Sequence, residues 1–271
     1  MSSNLDYREY IANIPDFPSP GILYRDIQPL LADPHAFTSA IDDVAALTKS
    51  KPDYWVGIES LSLFAHDRPA LIGVLHLPPL PGSPRWQGDF EAVRRFALAD
   101  AAAYLAGGAD GLVVENFGDA PFFASAVPSH TVAAMARIAA EVVEAAAGVP
   151  VGINVLRNDA QAAIGIAAAS GASFVRVNVL SGAMLTDQGL IEGRAAELLR
   201  LRRQLEATEV GIFADVLVKH AYPLAPQPIG EAVEDCLCRA GADGVIVSGV
   251  ATGAAPDPDD LAAARSAAGS A

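Results

Sequence analysis

The sequence predicts an α/β protein with a TIM-barrel-like (β/α) architecture, built from six βα units that begin at residue 70. Short apolar runs rich in Val and Ile alternate with stretches that have helical periodicity. This alternation requires parallel strands with right-handed crossovers, which means a doubly wound sheet or a barrel. The first βα turn, PPLPGSPRW, lacks the glycine fingerprint of a dinucleotide-binding domain and therefore favours the barrel.

The predicted strands are too short for helices and are apolar throughout, which is typical of parallel strands buried on both faces. Several of the helical stretches between them end in glycine, the usual residue just beyond a helix C-terminus. The segments GGADGLVV, SGASFVRV and AGADGVIV place the same turn before three strands, which supports a repeated unit. The predicted strands span 70–77, 111–117, 150–156, 174–180, 210–217 and 244–250.

Upstream of these units, the sequence predicts a strand, a helix and a strand at 22–27, 34–49 and 54–59. A TIM barrel has about eight strands. We therefore hypothesise that this βαβ-like segment completes the sheet. The chain then divides into an N-terminal segment, 1–65, and a barrel domain, 66–271, which we expect to be shortened at its C-terminus because it ends in a helix, DLAAARSAAGSA.

Composition restricts the partners of the protein. Apolar residues make up 52% of the 271 residues, and the net charge is −14, which disfavours nucleic acid and anionic membranes as partners. We expect no signal peptide and no transmembrane segment, because the N-terminus lacks a basic and apolar leader and Gly, Pro or a charge interrupts each apolar run. These features predict a cytoplasmic protein. The C-x-C pair Cys236 and Cys238 lacks the second ligand pair of a zinc site, and we expect at least one of these cysteines to be buried in the core.

Polar residues gather at the carboxyl ends of the predicted strands, where parallel sheets bind their ligands. Carboxylates are rarely buried without a partner, so Glu115 and Asp215, each within an apolar strand, should meet a cation or a substrate. With Lys219 they are the candidate catalytic residues, Glu115 or Asp215 as general base and Lys219 as electrostatic partner. The candidate substrate-binding residues are His76, Asn116, Asn154, Arg157, Asn158, Asn178, Asp187 and His220.

This inventory suits proton transfer, glycosidic or phosphoester chemistry, or aldol cleavage, and hence a lyase, a hydrolase or a transferase. A structural alternative is an ion cluster of Glu115, Lys219 and Asp215, with Arg176 closing an internal ion pair. The carboxylates at one mouth could also hold Mg²⁺, although no dense D-x-D spacing indicates it, and we expect no other cofactor.

Six segments in order resemble the BtpA/SgcQ family, from about residue 69 to 261. They are ALIGVLHLPPLPGSPRW, GGADGLVVENFGDAPF, PVGINVLRNDAQAAIGIA, FVRVNVLSGAMLTDQGLIEG, IFADVLVKHAYPL and ADGVIVSGVATG. The resemblance implies a TIM barrel of enzymatic ancestry. Cyanobacterial members of the family are associated with photosystem I accumulation, and other members occur near sugar-metabolism genes. We expect this chain to lack the last strands of the family, with their glycine-rich, phosphate-site-like segment.

The N-terminal segment resembles a different family. YREYIANIPDFPSPGILYRDIQPLLADPHAF and KPDYWVGIES are similar to the start of adenine phosphoribosyltransferase. That family next requires an Arg-Gly pair, where this chain has Ser60–Leu63, and an acidic Thr-Gly-rich pyrophosphate loop that this chain lacks. The sequence therefore indicates a chimera whose transferase-like part is inactive.

The leading hypothesis is an enzyme-like barrel that acts on a small sugar- or nucleoside-derived substrate. The alternatives are a non-catalytic photosystem I assembly factor, a purine salvage protein, and a remnant with exposed sheet edges. Peripheral membrane association follows only from the family resemblance, and the sequence is also compatible with a homo-oligomer.

Overall fold

The computed structural model describes residues 5–15, 23–26, 29–30, 33, 35–36, 39, 70–249 and 256–269. Its strands are β1 (Ala12–Pro15), β2 (Leu23–Asp26), β3 (Ile72–His76), β4 (Gly111–Glu115), β5 (Val151–Asn154), β6 (Phe174–Val177), β7 (Ala183–Thr186), β8 (Gly189–Glu192), β9 (Gly211–Val216), β10 (Ala221–Pro223) and β11 (Gly244–Val247). Its longer helices are α1 (Phe90–Ala106), α2 (Ser129–Ala145), α3 (Ala160–Ser170), α4 (Ala195–Gln204), α5 (Ile229–Glu234) and α6 (Pro258–Ala268).

Six parallel strands form the main sheet in the order β3, β4, β5, β6, β9 and β11. Neighbours in the sheet follow one another along the chain, whereas a doubly wound sheet reverses its order at a switch point. The helices also pack in sequence, α1 on α2, α2 on α3, α3 on α4 and α5 on α6. The predicted barrel-type α/β fold with six βα units is confirmed as a half-barrel.

Side chains alternate between the two faces of this sheet, as the pleat requires. Leu112, Val114 and Ile153 belong to the large core between the sheet and the helices. Val113, Phe174 and Phe213 form a smaller core on the opposite, inner face, where the two phenyl rings meet edge to face with centroids 5.1 Å apart. The inner face is therefore apolar at mid-sheet and becomes polar toward the carboxyl ends of the strands.

The ends of the helices explain why each unit stops where it does. The Asp89 carboxylate accepts a hydrogen bond from Ala92 N at 2.9 Å and caps α1, and Asp159 caps α3 in the same way through Ala162 N. Helix α3 ends at Gly171, whose φ of 78° is left-handed. Asp159 thus begins α3 only a few residues beyond β5, which fixes the loop that enters the site.

A three-stranded antiparallel sheet, ordered β10, β7, β8, lies outside the main sheet. Its buried side chains Met184 and Ile191 pack with Val179 and Val218, residues that follow β6 and β9. The sequence predicted no strand over these residues, so the small antiparallel sheet was not anticipated. Because β7 and β8 follow β6 and β10 follows β9, the sheet is positioned at the carboxyl ends of the main strands.

The strand predicted at 22–27 exists as β2, and it pairs antiparallel with β1 in a two-stranded sheet. Among the described residues, neither of these strands joins the main sheet, and no pairing links β3 to β11. The strand predicted at 54–59 and most of the helix at 34–49 lie outside the described residues. Completion of the barrel by the N-terminal segment therefore stays a prediction.

The predicted helix around the two cysteines is present but not uniform. Helix α5 continues as a π-helical turn, Asp235–Arg239, in which Cys236 is buried and Cys238 is exposed. Burial of at least one cysteine is thus confirmed. Within the described part of the chain, no helix combines the length and the apolar character needed to cross a bilayer.

Candidate functional site

The inner-face side chains at the carboxyl ends of the strands come together because the strands are in register. His76 on β3 is the neighbour of Glu115 on β4, which in turn is the neighbour of Asn154 on β5. A cavity of about 760 Å³ opens above this row, a volume typical of small-molecule sites. Several of the predicted site residues line it, namely His76, Glu115, Arg157, Asn178, Asp187, Lys219 and His220.

Glu115 and His76 face each other at the wall of this cavity. His76 Nε2 lies 3.4 Å from Glu115 Oε1, and the side chains are 51% and 8% exposed, respectively. The Phe117 ring stacks on the imidazole with centroids 4.5 Å apart and holds its plane. A nearly buried carboxylate next to an accessible imidazole is an arrangement suited to acid–base chemistry.

Asp215 is bound more tightly than Glu115. Its two carboxylate oxygens accept hydrogen bonds from Arg176 Nε and Nη2, both at 2.9 Å, and Asn178 Nδ2 donates a third at 3.0 Å. Burial opposes the charged form of the guanidinium, yet the charge and hydrogen bonds of Asp215 outweigh it and raise the pKa of Arg176. The cation that neutralises Asp215 is therefore Arg176, as in the internal ion pair that the sequence offered, and not Lys219.

Asn154 joins this network from below the cavity. Its Nδ2 donates to the Arg176 carbonyl at 2.9 Å and to Asn178 Oδ1 at 3.1 Å. Its Oδ1 is buried and has no hydrogen-bond partner among the described residues. Asn154 is not among the residues that line the large cavity, so its amide holds the Arg176 main chain and Asn178 in place from behind the cavity wall.

Two other predicted asparagines hold loops together. Asn116 Oδ1 accepts from Leu156 N at 2.7 Å, and Asn158 exchanges two hydrogen bonds with the main chain of Val179. Asn158 is not among the side chains that line the large cavity, and Asn116 lines a neighbouring cavity of about 360 Å³ together with Asp119 and other residues. Burial raises the pKa of the Asp119 carboxyl.

The mouth of the large cavity carries apolar side chains that sequence analysis did not select. Phe117 and Phe122 follow β4, whereas Leu185 and Tyr222 come from the small antiparallel sheet and are paired across β7 and β10. Phe117, Leu185 and Tyr222 are all exposed. The motif ENFGDAPF, directly after a strand, was the available signal for the two phenylalanines.

A resident metal would need a cluster of suitable ligands. In the part of the chain that the structure describes, no group of three or more His, Cys, Asp or Glu side chains is arranged to hold an ion. The polar groups of the cavity are instead two carboxylates, imidazoles, amides and cations. This set can exchange protons and bind polar groups of a small molecule.

Comparison with a known structure adds little to the fold. A probable tagatose 6 phosphate kinase from Sinorhizobium meliloti 1021 is 20% identical, and the match covers 80% of this chain and 53% of that chain. Its TM-score of 0.45 is too low to support an inference.

Comparison by sequence is more informative. A protein of Synechocystis sp. named photosystem I biogenesis protein BtpA is 54% identical over 198 residues, which cover 73% of this chain and 68% of that protein. An uncharacterised protein of Pyrococcus furiosus is 47% identical over 195 residues, 72% of each chain. The model of the BtpA family matches residues 67–270, close to the range of the predicted resemblance. The chain therefore belongs to the BtpA family.

Proposed function

We propose that this protein is an enzyme-like half-barrel that transfers a proton on a small sugar- or nucleoside-derived substrate bound in the large cavity. The observation that carries the proposal is Glu115, an almost buried carboxylate that lines the cavity within 3.4 Å of an accessible imidazole nitrogen. Such chemistry serves a lyase, a hydrolase or a transferase.

Glu115 suits the role of general base better than Asp215. The Asp215 side chain is 0% exposed, both of its oxygens accept hydrogen bonds from Arg176 or Asn178, and the residue is not among those that line the cavity. Glu115 lines the cavity, faces His76 and interacts electrostatically with Arg157 and Arg176. In this proposal, Asp215 is a positioning residue that keeps Arg176 and Asn178 in place.

The remaining groups have distinct tasks in the proposed reaction. Glu115 takes a proton from the substrate, and His76 shares or relays that proton to solvent, to which half of its side chain is open. Lys219 supports the negative charge that develops on the substrate, because its side chain lines the same cavity. Asn178 on the cavity wall orients substrate hydroxyl or amino groups, and Asn154, which donates to Asn178 Oδ1, holds that amide in position.

Thermal denaturation with a panel of pentoses, hexoses, their phosphates and nucleosides tests this proposal. A compound present at one hundred times its Kd should stabilise the protein by about 2.7 kcal/mol. His76→Ala should abolish that stabilisation, whereas His130→Ala, at the smaller cavity, should retain it. Stabilisation that is lost in His130→Ala and kept in His76→Ala would place the ligand in the wrong cavity and refute the proposal.

A second candidate is an assembly factor without catalysis, as the name of the Synechocystis relative suggests for that protein. One observation favours it: Tyr222, Leu185 and Leu190 are cross-strand neighbours and expose an apolar row on the small sheet. In that role, no compound of the panel would stabilise the protein. Leu190→Ser would weaken the complex that this apolar row forms with a partner protein, and it would leave the fold unchanged.

Three narrower points stay proposals. We propose that residues 1–65 are a phosphoribosyltransferase-like segment without activity, since the sequence lacks a pyrophosphate loop. We also retain the predicted cytoplasmic location, and the predicted absence of nucleic acid as a partner, which the net charge of −14 supports. A homo-oligomer is compatible with the exposed apolar row.

A further inference from the structure

Arg157 is a buried cation at the wall of the large cavity. The residue is only 7% exposed, it lines the large cavity, and one of its nitrogens, Nη2, donates to the carbonyl of Lys219 at 2.8 Å. Among the described residues it forms no ion pair, in contrast to Arg176 beside it. Burial lowers the pKa of the Arg157 guanidinium, with the nearby carboxylates acting in the opposite direction. The hydrogen-bond donors of the guanidinium other than Nη2 have no hydrogen-bond partner among the described residues.

Lys219 brings a second cation to the same wall. Its carbonyl holds the Arg157 guanidinium, and its half-buried side chain lines the same cavity. No carboxylate in the described residues pairs with its ammonium group. Burying a charge is costly unless an opposite charge or a set of hydrogen bonds compensates for it. Asp215, Asp187 and Glu115 act on Arg157 only from beyond ion-pair distance, so two adjacent cations without a paired carboxylate among the described residues indicate a place for an anion.

The other charges around the cavity already have partners. Asp215 neutralises Arg176, and Glu115 faces His76. Asp187 is exposed in the turn between β7 and β8, where its Oδ2 accepts a hydrogen bond from Gln188 Nε2. The whole chain carries a net charge of −14, so its overall electrostatic field repels anions. Binding of an anion would therefore result from the local arrangement of Arg157 and Lys219 and not from the net charge of the protein.

We propose that Arg157 and Lys219 form an oxyanion subsite that takes a phosphoryl or carboxylate group of the substrate. The planar fork of Arg157 matches two oxygens of such a group, and the Lys219 ammonium adds a mobile point charge. The subsite rests on the proposed function of the cavity and narrows its substrate to a small phosphorylated or carboxylated molecule. That molecule spans from the cations on this wall to Glu115 and His76.

Isothermal titration of the full chain with inorganic phosphate, and separately with acetate, at constant ionic strength tests the subsite. We expect binding of at least one of these ions at a single site, with phosphate binding identifying a phosphoryl group and acetate binding alone a carboxylate. Arg157→Gln should weaken that binding about tenfold or more, and Lys219→Gln should weaken it less. Arg194→Gln makes the same charge change on an exposed pair with Glu197 and should leave the affinity unaltered.

Two results would overturn the subsite: no binding of either ion, or an unchanged affinity in folded Arg157→Gln protein. If circular dichroism shows that Arg157→Gln does not fold, the anion affinities of Arg157→Lys and Lys219→Gln are measured instead. Wild-type affinity in both variants would overturn the proposed subsite. Glu115→Gln separates the two proposals, because it should keep phosphate or acetate binding while losing proton transfer. Failure of proton transfer with anion binding intact refutes the proposed function alone.

Discussion

At the scale of single residues, Glu115 and Asp215 differ in their surroundings although they are alike in sequence. Each is a carboxylate near the end of an apolar strand, and the sequence gives no means to rank them as bases. In the fold, Arg176 and Asn178 engage Asp215, while Glu115 opens on the cavity. The ion pair of Arg176 on β6 with Asp215 on β9 forms because these two strands are neighbours in the folded sheet, which the sequence does not display.

Replacing Asp215 should therefore destabilise the protein rather than only inactivate it. Asp215→Ala leaves the Arg176 guanidinium buried without its partner, which costs about 3 to 5 kcal/mol in the free energy of unfolding. Urea denaturation measures this loss. As a control, Glu197→Ala breaks an exposed pair with Arg194 and should cost less than about 1 kcal/mol. Equal losses in the free energy of unfolding for the two substitutions would show that the buried network contributes no more to stability than an exposed ion pair.

Two glycines offer a matched test of packing at the residue scale. A Cβ on Gly152 would lie 2.1 Å from the Phe174 ring, whereas a Cβ on Gly165 in α3 would meet nothing within 4 Å. Gly152→Ala should destabilise the protein by about 1 to 3 kcal/mol, because the inner-face core has no room. Gly165→Ala should stabilise it by about 0.5 to 1 kcal/mol, because alanine favours a helix. Thermal melting of both variants checks the two signs.

At the scale of elements, the repeated βα units were predictable and the small antiparallel sheet was not. Apolar strands that alternate with periodic helices carry a strong local pattern, so all six main strands were located. Strands β7, β8 and β10 have three or four residues each, and the motif SGAMLTDQGLIEG resembles a loop with a turn. Their stability comes from packing of Met184 and Ile191 on the ends of the barrel, which no local pattern displays.

The π-helical turn gives the two cysteines different reactivity. Burial raises the pKa of the Cys236 thiol, whose Sγ lies 3.4 Å from Ser181 Oγ, whereas Cys238 is exposed. A thiol reagent at neutral pH should therefore modify Cys238 rapidly and Cys236 only after denaturation. Cys238→Ser should leave almost no fast reaction. A fast reaction that survives in Cys238→Ser would contradict the burial of Cys236.

The same thiol predicts a pH dependence of stability. The folded state holds the Cys236 proton more tightly than the unfolded chain, since its folded pKa is raised. The resulting stabilisation is complete below the ordinary thiol pKa of about 8.5 and is lost as pH rises through the higher folded value. The difference in unfolding free energy between wild type and Cys236→Ala should thus shrink above about pH 9. A difference that stays constant with pH would contradict this reading.

At the scale of the whole molecule, the half-barrel brings residues from the carboxyl ends of five strands to one cavity although they are far apart in the chain. His76 and Glu115 end β3 and β4, whereas Arg157, Asn178 and Lys219 follow β5, β6 and β9, and only the parallel order makes them neighbours. The rule that ligands bind at the carboxyl ends of such strands selected most of these residues from the sequence. It could not supply the aromatic mouth, because Tyr222 belongs to the sheet that was missed.

The role of the N-terminal segment is also a question about the whole molecule. If residues 1–65 complete the sheet, as the sequence predicts, deletion of residues 1–60 should lower the melting temperature, because edge strands of the half-barrel would lose their partners. Scanning calorimetry of the shortened chain measures this. Unaltered melting would show that the segment is a separate appendage.

The most direct test of the central claim is exchange of substrate protons with solvent. Each compound that stabilises the protein is incubated in D₂O, and NMR follows the loss of a carbon-bound proton signal. Wild type and Glu192→Gln, an exposed control on β8, should exchange the proton, and Glu115→Gln should slow the exchange about a hundredfold or more. Equal exchange in Glu115→Gln and wild type would contradict the assignment of Glu115 as the base of this site.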